Sequence, residues 1–259
     1  MHKMLMAALM TFGLLAGCKG EPAYEGVSFI AYNYTQFDMD SVSLTDKAGN
    51  SAVTMQVSVG AGEGSVACCY TLKGTEFTAK WRAADSEVLR NHLYDANPQQ
   101  YFFTREKPVS FPATDLPPGQ GPVYLELHIY PDEHVELALS RKLTGRTRLP
   151  IVETARWLWR QHKEALGDFR DGVELTRVIA RVTKKSWGQY RIENASDMRE
   201  YMKMYFTVAS DFDQDPAIHA LLQKADRQPG EFARAMESLP AERISALKQA
   251  GTPPGAKSG

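Results

Sequence analysis

The chain has 259 residues, a formal net charge of −1 and a hydrophobic share of 43%. These are the values of an ordinary globular protein, long enough for one large domain or two small ones. The near-neutral charge excludes a global nucleic-acid or membrane-surface signature.

At the start of the chain, Lys3 precedes an apolar stretch from Met4 to Ala16, which closes on Leu15-Ala16-Gly17-Cys18. A charge, a short apolar core and small residues before a cut site make a secretory signal that is too short to span a bilayer as a helix. The cysteine placed directly after Ala16-Gly17 resembles a bacterial lipoprotein signal, in which the thiol is acylated and the chain is cut before it. Residues 1–17 then read as the signal peptide, Cys18 as the lipidation site and residues 18–26 as a polar tether. Lys19 after the cysteine resembles outer-membrane sorting. No later apolar run reaches membrane-spanning length, so the expected mature protein is a soluble body on a lipid anchor in the periplasm.

From Val27 to Ser140 the pattern predicts strands. Val27–Tyr32 is rich in strand formers, Ser41–Leu44 and Val53–Val59 alternate with period two, and Ser65–Leu72 and Glu76–Trp81 continue the pattern. Turn residues bound each run, as expected of short antiparallel strands. Val123–Tyr130 and Val135–Leu139 flank Pro131-Asp132-Glu133-His134 and predict a hairpin. The intervening segment from Leu89 to Gln120 holds five prolines and the aromatics Tyr94, Tyr101, Phe102 and Phe103, and reads as a long irregular excursion. Such loops are often functional. Cys68 and Cys69 fall within the strand pattern. Neighbouring strand residues point to opposite faces, and bridging them needs a strained turn. Two readings stay open: one buried thiol with an outward neighbour, or a Cys68–Cys69 disulfide.

After Pro150 the period becomes helical. Ile151, Ala155, Leu158, Trp159, His162 and Leu166 share one face, and Leu175, Val178, Ile179 and Val182 share another. Met198, Tyr201, Met202 and Tyr205 make a third stripe, with Ser196 as its expected cap, and Asp215-Pro216 opens a fourth helix. The predicted architecture is α+β: an antiparallel β-sandwich-like domain over residues 27–149, a helical region over 150–250 and a disordered tail over 251–259.

No catalytic nucleophile motif, phosphate loop or zinc-ligand spacing is present, so no enzyme activity, cofactor or metal is expected. Gly60-Ala61-Gly62-Glu63-Gly64 lies between strands and reads as a hairpin loop. Asp211–Asp215 resembles the opening of a calcium loop, but Pro216 and Leu222 stand where glycine and glutamate are required. It reads as acidic residues at a helix junction. His128, Asp132, Glu133 and His134 share no assured face for a metal. Arg141, Lys142, Arg146 and Arg148 read as a solvated linker, with an acidic partner as the alternative.

Ala31-Tyr32-Asn33-Tyr34-Thr35, the glycine-rich loop, Cys68-Cys69, Trp81 and Tyr130-Pro131-Asp132 occur in an order similar to that of a family of bacterial lipoproteins. Members of that family are encoded beside lipase effectors of type VI secretion systems, and some act as their immunity proteins. The resemblance covers residues 27–140. Ala31 replaces the family's glycine and Tyr34 its histidine, and the helical part has no counterpart motif. The resemblance implies a protein partner, a lipase effector, bound so that its active site is occluded. The aromatics Tyr94, Tyr101, Phe102 and Phe103 are the expected contact residues, because interface hot spots favour aromatic side chains. The alternative is a structural or envelope-assembly lipoprotein without a toxin partner.

Overall fold

Strand β1 (Ala23–Asn33) runs through the middle of the molecule and has both faces covered: every side chain from Val27 to Asn33 is buried. The computed structural model describes residues 21–60, 62–143, 145–167, 169 and 171–253. Cys18 and the expected signal peptide lie outside the described residues. β1 starts inside the stretch read above as a tether, because Tyr24 is buried against Phe77 and Phe111.

The other strands are β2 (Asp38–Asp46), β3 (Ser51–Val57), β4 (Gly62–Glu63), β5 (Ala67–Lys73), β6 (Glu76–Ala84), β7 (Phe102–Ser110), β8 (Tyr124–Ile129) and β9 (Val135–Ser140). They form two sheets. One has the order β4-β1-β8-β9, with β5 also paired to β1; the other has the order β3-β2-β6-β7. The expectation of purely antiparallel pairing is corrected at one place: β1 and β8 run parallel, with Phe29 opposite Leu125 and Ala31 opposite Leu127. A parallel pair needs a long crossover, and here the whole second sheet lies between its two strands in sequence. The β8–β9 hairpin forms as predicted, closed by Tyr130 N–H donating to His134 O at 3.0 Å.

The excursion from Leu89 to Gln120 is also more regular than expected. Its second half contains β7, paired to β6 through nine residues from Ala84↔Phe102 to Glu76↔Ser110. β7 is the outer strand of its sheet, so Pro108 removes no ladder bond that a neighbour needs.

Period-two alternation divides the side chains of the first sheet between two cores. Val27, Phe29, Ala31, Leu125, Leu127 and Ile129 meet Val42, Leu44, Ala79 and Trp81 of the second sheet in one apolar cluster. Ile30, Tyr32, Tyr34 and Tyr124 point the other way, into a cluster built mainly from helices. Those helices are α2 (Ile151–Gln161), α3 (Gly172–Tyr190), α4 (Ala195–Thr207), α5 (Pro216–Leu222), α6 (Glu231–Glu237) and α7 (Ala241–Ala250), whereas α1 (Ser86–Asn91), between β6 and β7, adds no residue to that cluster. The molecule is therefore mixed α+β, with the change from strand to helix between Ser140 and Ile151. No helix among the described residues is long and apolar enough to cross a membrane.

Capping follows simple chemistry, with one correction. Asn194 caps α4 by accepting from the amides of Ser196 and Asp197; Ser196 itself donates its hydroxyl to Asn194. Asp215 caps α5, with Pro216 in the first turn. Gly60 has φ +78° and touches the helical layer: a Cβ there would lie 2.6 Å from Thr176 Cγ2. The expected disordered tail is partly held, since Thr252 N–H donates to Asp211 at 2.7 Å and Thr252 O accepts from Ser210 N–H at 2.9 Å.

Candidate functional site

The segment carrying the four predicted contact aromatics begins at α1, which Asp85 caps by accepting from the amides of Glu87 and Val88. Past the helix, the turn is tied to itself. His92 Nδ1 lies 3.1 Å from Asp95 Oδ2, the Tyr101 hydroxyl donates to the same carboxylate, and the His92 and Tyr101 rings stack at 4.5 Å. The hydrogen bond from Tyr101 holds the Asp95 carboxyl below its usual range, and the same bond raises the Tyr101 phenol.

This bracing distributes the aromatics unequally. Phe102 lies under the Arg82 guanidinium at 3.8 Å. Phe103 packs edge-on against Phe37 at 4.9 Å, beside the apolar core. Tyr101 is half-buried. Tyr94 alone of the four is 100% exposed; its neighbour Leu93 (53%) and Val88 of α1 (42%) are exposed too. Sequence reasoning grouped the four because their spacing is short. It missed that Tyr101 is engaged within the turn and that Phe102 and Phe103 are engaged by Arg82 and Phe37, distant in sequence, and it missed Leu93 and Val88. Between α1 and α3 lies a cleft of 540 Å³ whose walls include Gln36, Glu87, Val88, Asn91, Lys185 and Tyr205.

A second constellation lies buried between the first sheet and the connector to α2. Glu126 and His128, adjacent inward positions of β8, are both fully buried. His128 Nε2 is 3.2 Å from a Glu126 oxygen, and its Nδ1 is 2.9 Å from the Tyr34 hydroxyl. The Glu126 carboxylate can only accept, so the imidazole proton sits on Nε2 toward it, and Nδ1 of the neutral ring accepts from the Tyr34 hydroxyl, which itself accepts from Arg148 N–H at 2.9 Å. Ser140 donates its hydroxyl to Glu126, and Arg146 Nε reaches both carboxylate oxygens at 3.3 and 3.4 Å. Burial pushes the Glu126 carboxyl up, but the bonds from His128 and Ser140 and the nearby Arg146 charge outweigh it, and the group ends below its usual range. Burial dominates for His128 and depresses it.

The connector cations read above as a solvated linker turn inward instead. Arg148 donates to Tyr130 Oη at 2.7 Å and pairs with Glu136, and Arg141 Nε donates to Pro117 O at 2.7 Å. Lys142 remains exposed. For Arg146 the reason is the fully buried Glu126, which needs a paired cation, whereas Arg148 meets Glu136 at the surface. His134, apart from His128, bonds Asp132 at 2.6 Å and stacks on Tyr130 and Trp187. No group of three or more metal-ligating side chains occurs among the described residues.

Asp211–Asp215 does lie at a helix junction. Asp213 is fully buried and accepts from Lys185 at 2.7 Å, Tyr201 at 2.8 Å and Tyr190 at 3.2 Å. Cys68 and Cys69 are both exposed free thiols, so the reading with one buried thiol is corrected. β5 leaves most of its side chains outside the apolar core, with Leu72 the fully buried member. No family model matches the chain, and no curated protein matches its sequence.

Proposed function

We propose that the protein is a lipid-anchored periplasmic immunity protein that binds a type VI secretion lipase effector and occludes its active site. The N-terminal signal pattern and the resemblance over residues 27–140 suggest the class. The observation that carries a binding role is Tyr94, a fully exposed aromatic on a turn braced by His92, Asp95 and Tyr101. A rigid exposed aromatic loses little conformational entropy on binding and is a typical hot-spot anchor. In this reading the two sheets, which share one apolar core, constitute a β-sandwich that holds the turn in place. Acylation at Cys18 concentrates the protein at the outer-membrane surface that the effector attacks, and the protein itself hydrolyses nothing.

The test is co-expression with a candidate lipase effector, which the resemblance implies is encoded beside the gene. The wild-type protein is expected to co-purify with the lipase and to protect cells that make the lipase in their periplasm. Tyr94→Ala is expected to weaken the complex by about 2 kcal/mol while the fold persists. Absence of both co-purification and protection would refute the reading. An unchanged affinity for Tyr94→Ala would remove this turn from the interface.

A further inference from the structure

A larger recess, of 1120 Å³, opens between α2 and the N-terminal turns of α3. Arg156, Trp159 and Arg160 of α2 line it, facing Arg177 of α3. Arg156 and Arg160 stand one helical turn apart on the same face. Both are exposed, and neither is paired with a described residue. Arg177 keeps only 12% of its side chain exposed; Nη2 donates to Asp38 at 3.2 Å, while Nε is buried without a partner.

Among the described residues, two carboxylates share the wall. Asp38 is already occupied: besides Arg177 it accepts from Val59 N–H at 3.1 Å and from the Ser86 hydroxyl. Glu153 is exposed on α2. The recess therefore carries more guanidinium than free carboxylate. The contrast with the connector is direct. There, Arg146 and Arg148 are taken up by Glu126 and Glu136. Here, two arginines and a tryptophan remain open to an incoming group.

Arginine binds carboxylates through a planar fork that can form two parallel hydrogen bonds, and arginine and tryptophan are the residue types enriched at interface hot spots. The recess is concave, so its walls cannot lie flat on a lipid surface. Its volume exceeds the roughly 300–1,000 Å³ usual for small-molecule sites. We infer that the α2–α3 recess receives an acidic loop of a protein partner, with Arg156 and Arg160 pairing its carboxylates and Trp159 covering the contact. The inference rests on the reading of the protein as an effector-binding protein and adds a second contact to the one at Tyr94.

The experiment is isothermal titration of the neighbouring lipase with the full-length protein and three variants: Arg156→Glu with Arg160→Glu, Arg156→Lys with Arg160→Lys, and Tyr94→Ala. Both arginines are exposed, so thermal melts of the variants are expected to overlay the wild type. Charge reversal is expected to weaken binding by about 100-fold or more, through like-charge repulsion, and to flatten its salt dependence. The lysine pair keeps the charge and is expected to stay within about tenfold of the wild type. A lysine introduced at an acidic position of the lipase that restores binding of the reversed variant identifies the partner loop. Reversal within about threefold of the wild type, with the wild type binding, overturns the recess but not the effector reading. Absence of wild-type binding overturns both.

Discussion

The two faces of the first sheet are built from different chemistry. The face toward the second sheet is apolar: Val27, Phe29, Ala31, Leu125, Leu127 and Ile129. The face toward the helices carries Tyr32, Tyr34, Glu126 and His128, all fully buried. The first face is held by area removed from water, which is indifferent to geometry and pH. The second is held by the hydrogen bonds of Tyr34, His128 and Glu126, with Tyr32 stacked on the imidazole, and those bonds stabilise only when every partner is present. One strand, β8, supplies both, because successive residues point to opposite sides.

Separating the layers should give the largest effect. A fragment of residues 21–149 would leave the face with Tyr34, Glu126 and His128 in water and remove the helices that cover it. Its thermal unfolding is expected to lose cooperativity, and a sharp melt near that of the full chain would show that the second core is dispensable.

Single substitutions on neighbouring residues of β8 sharpen the contrast. Glu126→Ala leaves Arg146, His128 and Ser140 without their acceptor and is expected to cost about 3–5 kcal/mol. Leu127→Ala, on the apolar face, is expected to cost about 2–5 kcal/mol through the cavity it leaves. Urea unfolding separates them by pH. The Glu126 loss should shrink as acid protonates the wild-type carboxylate, whereas the Leu127 loss should stay constant.

Acid alone should reveal the same asymmetry. His128 is depressed below its ordinary 6.5, so the unfolded chain binds its proton first and stability falls as the pH drops through and below that value. Glu126 and Asp213 are also held low, and their contribution is lost at still lower pH, below the ordinary carboxylate range. His128→Gln, which cannot titrate, should reduce this loss and leave the share of His162, which burial also depresses. Stability that stays flat from pH 7 to pH 5 in the wild type would contradict the buried, neutral assignment of His128.

The smallest expected effect lies outside both cores. Tyr94→Ala should change unfolding stability by less than about 0.5 kcal/mol, since its side chain is fully exposed. Phe103→Ala should cost more, about 1–2 kcal/mol, because its ring packs on Phe37 beside the apolar core. Equal losses would mean that the two rings are not distinguished by burial as described.

Local pattern alone determined where most strands and helices lie. Period-two alternation marks β2, β3 and β6, the Pro131–His134 turn marks the β8–β9 hairpin, and Asp215-Pro216 marks the start of α5, because each depends on residues a few positions apart. The tertiary structure decided the rest, because it depends on which distant residues meet. The parallel β1–β8 pair joins segments more than ninety residues apart in sequence. Arg146 and Arg148 look like linker charges until Glu126 and Glu136 are placed beneath them. Tyr101, Phe102, Phe103 and Tyr94 look equivalent in one short segment, yet contacts with His92, Arg82 and Phe37 engage three of them and leave Tyr94 free. A side chain's chemistry is written in the sequence; whether that chemistry is spent inside the molecule or offered outside it is set only by what the fold brings against it.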